Sequence, residues 1–194
     1  MINSPLIGAL RAVSAVLERL EIPYMIGGSV ASSSRGITRA TRDIDLVAQI
    51  APEHAGLLSA GLGPDWYADV DQIREAVLAD RSFNLIHIPT SQKIDIFPAN
   101  DAFGASQLQR ATRATLDFLG ESQTYPVASA EDILLAKLQW YRDGGEVSDR
   151  EWSDITGIVA VNPVLERQYL EAWATRLGIR RLLARALADP GREP

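Results

Sequence analysis

Apolar positions recur along this chain with two different periods, and the change from one to the other outlines the fold. Behind Ser4 and Pro5, the residues Leu6, Leu10, Val13, Leu17 and Leu20 fall on one helical stripe, which predicts a helix to about Glu21 that Pro23 stops. Tyr24 to Ile26 then reads as a short strand that delivers Gly27 and Gly28 to a turn, with a short helix from Val30 to Ser34. Residues 43–49 alternate, so Asp43 and Asp45 point to one face of a strand while Ile44 and Leu46 point to the other. Pro52 opens a helix to about Ala60, and Gln72 to Ala79 carries a helical pattern. Phe83 to Ile88 and Lys93 to Phe97 are two extended runs separated by Pro89, Thr90, Ser91 and Gln92, the pattern of a hairpin.

Past Pro98 the spacing predicts a helix over Asp101 to Arg113, then short extended segments near Thr115 to Leu119 and Tyr125 to Val127. Ser129 and Asp132 have the spacing of a capping box, starting a helix through Arg142 that Gly144 and Gly145 end. Ser148 caps a next helix with Trp152, Ile155 and Val159 at helical spacing, Asn162-Pro163 begins another running to Gly178, and Ile179 to Ala188 forms a last one. The chain therefore divides into a mixed region, residues 1–128, and a helical region, residues 129–194, with no internal repeat.

The alternating acidic strand carries the chemistry. Two carboxylates held side by side in an apolar strand repel each other and resist desolvation unless something cationic sits between them. A divalent metal, Mg²⁺ or Mn²⁺, meets that need and also takes phosphate oxygens. Separated from Asp43 by thirteen residues, the turn Gly27-Gly28-Ser29 offers close backbone approach, free N–H donors at a helix start and a hydroxyl, which is what a triphosphate requires. Asp95, between Ile94 and Ile96 in a second alternating run, supplies a third carboxylate.

Gly-Gly-Ser followed by Asp-hydrophobic-Asp, with a third carboxylate on a neighbouring strand, resembles the signature of the DNA polymerase beta-like nucleotidyltransferase superfamily. The stretch Arg35-Gly36-Ile37-Thr38-Arg39-Ala40-Thr41-Arg42 is similar to the basic, Thr-bearing segment of its small bacterial members. Glu131-Asp132-Ile133-Leu134-Leu135-Ala136-Lys137 through Arg142 is similar to a later helix of the minimal and abortive-infection toxin-like subgroup. The resemblance implies an α/β (α+β) nucleotidyltransferase fold, a short mixed sheet flanked by helices and followed by a helical C-terminal region. It further implies that a nucleoside triphosphate, ATP among the options, is the substrate. Asp43, Asp45 and Asp95 are then the catalytic and metal-binding residues, and Gly27, Gly28, Ser29, Arg39 and Lys137 bind the nucleotide. In such chemistry two ions about 4 Å apart act on the acceptor oxygen and the leaving pyrophosphate. Asp43 and Asp45 would bridge them, and Asp95 would hold the acceptor-side ion and take the acceptor proton.

Composition narrows the field. At 194 residues with 46% hydrophobic content the chain can bury a core, and with no cysteine it has neither disulfides nor thiolate sites. No apolar stretch is long enough to span a membrane and the N-terminus lacks a secretory pattern, so a cytoplasmic location is expected. A net charge of −6 argues against a broad nucleic-acid surface, although Arg35, Arg39 and Arg42 could meet phosphate locally, and Arg110 with Arg113 makes a second basic spot. The acceptor, whether a small molecule such as an aminoglycoside-like antibiotic, a tRNA end or a protein hydroxyl, is not marked by any motif. Two rival readings are a non-catalytic nucleotide-binding regulator or antitoxin-like protein of the same fold, and a structural domain whose acidic strand binds Mg²⁺ or Ca²⁺. His54 and His87 read as structural, and Trp140, Trp152, Trp173, Tyr141 and Tyr169 as helix-packing groups.

Overall fold

The computed structural model describes residues 4–28, 30–31, 43–118 and 121–189. These fall into two compact units, one holding the described residues through Val30 and from Asp43 to Ala128, the other Ala31 and those from Ser129 onward.

In chain order the first unit contains α1 (Ser4–Arg19), β1 (Tyr24–Ile26), β2 (Ile44–Ala48), α2 (His54–Leu62), β3 (Trp66–Tyr67), α3 (Val70–Leu78), β4 (Phe83–His87), β5 (Gln92–Pro98), α4 (Ala102–Arg110), β6 (Thr112–Phe118) and β7 (Glu121–Val127). The seven strands form one mixed sheet in the order β3-β4-β5-β2-β1-β7-β6. At its centre β2 runs antiparallel to β1 and parallel to β5, with Ile44 opposite Ile94 and Leu46 opposite Ile96. All four are fully buried, so the apolar half of each alternation builds the core. The helix α1 lies against β5 and buries the predicted stripe of Leu6, Leu10, Val13 and Leu17. Two caps are side-chain made: Asp69 accepts from the Gln72 N–H at 2.8 Å, and Asp101 from the Gly104 N–H at 2.6 Å.

Within this unit the structure departs from the sequence pattern in two places. The helix expected to Arg113 stops at Arg110, because Ala111 is extended and Thr112–Phe118 pairs along its whole length with β7, so sheet pairing overrides the helical propensity of Ala and Arg. The strand β3 lies in what reads as a glycine- and proline-broken loop; it pairs with β4, and the Trp66 ring sits 5.1 Å from that of His87. A 3₁₀ turn at Ile88–Thr90 closes the predicted hairpin, with Ser91 at φ 53°.

The second unit holds α5 (Ala130–Asp143), α6 (Asp149–Val161), α7 (Arg167–Arg176) and α8 (Arg180–Ala188). Ser129 and Ser148 cap α5 and α6 as their spacing predicts. The helix expected from Asn162 begins only at Arg167, where Leu165 is buried and the Glu166 N–H is already bound by the Glu131 carboxylate at 3.1 Å. Asp132 is fully buried, accepting from Ser129 Oγ at 2.7 Å and from the Tyr169 hydroxyl at 2.6 Å. Of the aromatic groups, Tyr141 packs on Trp152 with ring centroids 5.2 Å apart, and Arg185 covers the Trp152 ring at 3.8 Å, whereas Trp140 is exposed. None of the described helices is long and apolar enough to cross a membrane.

Candidate active site

The period-two face of β2 and β5 that does not enter the core gathers the acidic residues. Asp45 stands directly opposite Asp95 in the parallel register, and Asn84 on β4 opposes Asp95 from the other side. Neighbouring parallel strands are ~4.8 Å apart, so two like charges in this register repel strongly. Asp43 precedes β2 by one residue and lies at the more exposed end of the same face.

The turn after β1 closes on this face. The Gly27 N–H donates to the Asp45 carbonyl at 2.9 Å, continuing the β1–β2 ladder by one residue. Gly28 follows with φ at 53°, a left-handed conformation that side chains disfavour. A Cβ at Gly28 would come within 1.7 Å of Asp45 Oδ2 and 2.6 Å of its carboxylate carbon. Glycine is therefore required twice over, by the backbone angle and by a carboxylate packed against the bare Cα. This contact ties the Gly-Gly turn to the acidic strand, which sequence alone offers only as two neighbouring motifs.

A lysine also enters the site. Lys93, two residues before Asp95 on the same face of β5, places Nζ 2.7 Å from Asp95 Oδ2 and 4.0 Å from Asp43 Oδ1. The hydrogen bond to Asp95, followed by the charges of Asp95, Asp43 and Asp45, outweighs partial burial and holds the ammonium above the ordinary lysine value. The cation between the carboxylates is thus supplied by the chain itself. Its signal in the sequence is the alternation Lys93, Asp95, Phe97, which puts the lysine on the face of Asp95.

Among the described residues, no three acidic or histidine side chains converge as they stand to enclose an ion. The donor set still suits a hard divalent cation: the carboxylate oxygens of Asp45 and Asp95 on adjacent strands, with Asp43 at the mouth, are the kind of ligand Mg²⁺ prefers. Ser29, Arg35, Arg39 and Arg42 lie outside the described residues.

Lys137 lies on α5, where Nζ pairs with Asp154 of α6 at 3.2 Å, both side chains mostly buried. Arg142, one and a half turns on, donates instead to the Leu177 carbonyl and to Asp143. Arg113 donates across the β6–β7 hairpin to the Thr124 carbonyl, a strand contact. The histidines are structural: His54 Nδ1 accepts from the Ala51 N–H at 3.0 Å, and His87 Nδ1 meets Thr90 Oγ1 at 2.7 Å.

No protein-family model matches the chain, and no curated protein sequence does. Solved structures do resemble it. The solution structure of the antibiotic-resistance factor ANT(2'')-Ia superposes with a TM-score of 0.52 at 16% identity, over 95% of this chain and 97% of that one. A crystal structure of ANT(2")-Ia in complex with adenylyl-2"-tobramycin gives the same TM-score and identity over 92% of this chain and 99% of that one. At that identity the likeness is one of fold: the chain shares the mixed α/β architecture of ANT(2'')-Ia.

Proposed function

We propose that this protein is a Mg²⁺-dependent nucleotidyltransferase that moves a nucleoside monophosphate from a nucleoside triphosphate to an acceptor hydroxyl. The observation that carries the reading is the junction of Gly28 with Asp45, opposite Asp95. Gly28, at φ 53°, packs its bare Cα on the Asp45 carboxylate just past the end of β1, and Asp45 stands opposite Asp95 in the sheet.

In this reading Asp43, Asp45 and Asp95 hold the divalent metal, which when bound supplies positive charge for the triphosphate and for the leaving pyrophosphate. The turn Gly27-Gly28-Ser29 receives the phosphate oxygens, beside the Asp45 carboxylate that packs on the bare Cα of Gly28. The acceptor oxygen attacks the α-phosphorus in line, its bond to phosphorus forming as the bond to the bridging oxygen of pyrophosphate breaks. The Asp95 carboxylate takes the proton that the acceptor hydroxyl sheds. Arg39 and Lys137 enter through the family resemblance alone, as phosphate-contacting cations, and the toxin-like subgroup rests on the Glu131 to Arg142 pattern in the same way. Among acceptors, a small hydroxylated molecule stands first and a tRNA end or protein hydroxyl after it; ANT(2")-Ia is a fold neighbour whose structure holds an adenylylated tobramycin.

The second reading, a non-catalytic nucleotide-binding regulator or antitoxin-like protein, is favoured by one observation: Lys93 already neutralises Asp95. Incubation of the protein with triphosphates labelled at the α-phosphate, Mg²⁺ or Mn²⁺, and a panel of aminoglycosides, total RNA and total protein separates the two. Label on any acceptor class, absent in Asp45→Asn, supports transfer; nucleotide binding without label in any class supports the regulator.

A further inference from the structure

The carboxylate face carries its own positive charge. Lys93 Nζ contacts Asp95 Oδ2 at 2.7 Å and stands 4.0 Å from Asp43 Oδ1, so it occupies the space in front of the carboxylates. Its side chain is 36% exposed while that of Asp95 is 16% exposed. The ammonium therefore sits at the solvent side of the pair, on a flexible four-carbon stem that can swing outward without opening the core. The two β5 neighbours of Asp95 that face the core, Ile94 and Ile96, are fully buried, which fixes the Asp95 backbone whatever Lys93 does. A divalent ion taking Asp95 Oδ2 would lie within a few ångströms of the ammonium, where the repulsion between the two cations exceeds the worth of a part-exposed ion pair.

We propose that Lys93 is an internal counter-cation, which masks the Asp43–Asp95 carboxylates in the metal-free protein and is displaced when a divalent ion binds there. The inference rests on the reading of these aspartates as a metal site. Its consequence is that the apparent metal affinity is lower than the carboxylates alone would give, since each ion must first break the Lys93 pair. The sheet, in turn, holds together without metal because the lysine offsets the repulsion across β2 and β5. Such a device suits a protein that should close around metal only when the triphosphate delivers it, because a metal–triphosphate complex brings phosphate oxygens that can receive the displaced ammonium.

Titration of Mn²⁺ into the full chain, followed by the spin-resonance signal of the free ion, tests this with two variants. Lys93→Gln should bind Mn²⁺ about tenfold tighter than the unmodified protein, a conservative share of the charge–charge interaction at this separation, whereas Lys93→Arg, which keeps the charge, should bind as the unmodified protein does. Thermal melting gives a second readout: Lys93→Gln should melt below the unmodified protein without metal, and the two should converge at saturating Mn²⁺. Equal Mn²⁺ affinity in the unmodified protein and Lys93→Gln would overturn the inference while leaving the metal site standing. Equal tightening by Gln and Arg would overturn it as well, since shape and not charge would then be responsible. Absence of Mn²⁺ binding in all three proteins would overturn both the inference and the metal site.

Discussion

Replacing Gly28 with alanine probes the contact that joins the turn to the acidic strand. The new Cβ meets Asp45 Oδ2 at 1.7 Å and the carboxylate carbon at 2.6 Å, so the carboxylate must retreat by about 1.3 Å or more to restore the 3.0 Å below which real Cβ contacts essentially never fall. Independently, a φ of 53° costs an alanine about 1–2 kcal/mol over glycine. Rotating the half-buried Asp45 side chain off its place adds about 1 kcal/mol more, giving a loss of about 2–3 kcal/mol in urea unfolding. The two contributions separate in a double-mutant cycle. With Asp45→Ala only the Cβ at 3.0 Å remains against the new methyl, so Gly28→Ala should then cost only the backbone term of about 1–2 kcal/mol. A cost below about 0.5 kcal/mol in the native background, within the range of an ordinary surface substitution, would refute the geometry. An equal cost in both backgrounds would refute the proposed clash with the Asp45 carboxylate.

Asp45→Asn and Asp95→Asn should each lower label transfer by about 100-fold or more, and Asp95→Asn should change the unfolding midpoint little, since the part-exposed Lys93–Asp95 pair is worth at most ~1 kcal/mol; parallel transfer and melting assays check both. Tyr169→Phe leaves the fully buried Asp132 carboxylate one hydrogen bond short and should cost about 1–3 kcal/mol in urea unfolding, against near-neutral substitutions at exposed helix positions. Burial first, then the hydrogen bond and charge of Glu18, push the Tyr24 hydroxyl well above the ordinary tyrosine value. Above pH about 10 the unfolded chain has therefore shed a proton that the folded chain keeps, and stability falls as pH rises. Urea midpoints should drop more steeply above about pH 10 in the unmodified protein than in Tyr24→Phe.

The parts of this fold legible in the sequence are those set by local period. The alternation through Asp43-Ile44-Asp45-Leu46 and through Ile94-Asp95-Ile96 foretells which side chains enter the core, and burial agrees at Ile44, Leu46, Ile94 and Ile96. The stripe of α1 and the serine caps of α5 and α6 are local in the same sense. What single-sequence reading does not reach is register between distant strands. The pairing of Asp45 with Asp95 depends on a parallel contact across fifty residues, and the place of β1 between β2 and β7 depends on a later one. Lys93 illustrates the same point. Alternation puts it on the face of Asp95, but only register brings Asp43 within 4.0 Å and makes a strand lysine the counter-charge of the site. The stretch 111–113 errs in the other direction: it continues the helical pattern locally, and pairing of Thr112 and Arg113 with β7 decides otherwise, while Thr115–Phe118 is extended as its pattern predicts.

The central claim, that Gly27-Gly28 and the aspartates of β2 and β5 together form a metal-dependent triphosphate site, is tested most directly by calorimetric titration of a non-hydrolysable nucleoside triphosphate into the full chain with and without Mg²⁺. Binding should require Mg²⁺ and weaken about 100-fold or more, ~2.7 kcal/mol, in the combined Asp45→Asn, Asp95→Asn variant. Binding that is unchanged by removing Mg²⁺ and both carboxylates, or no binding of any nucleoside triphosphate, would contradict it.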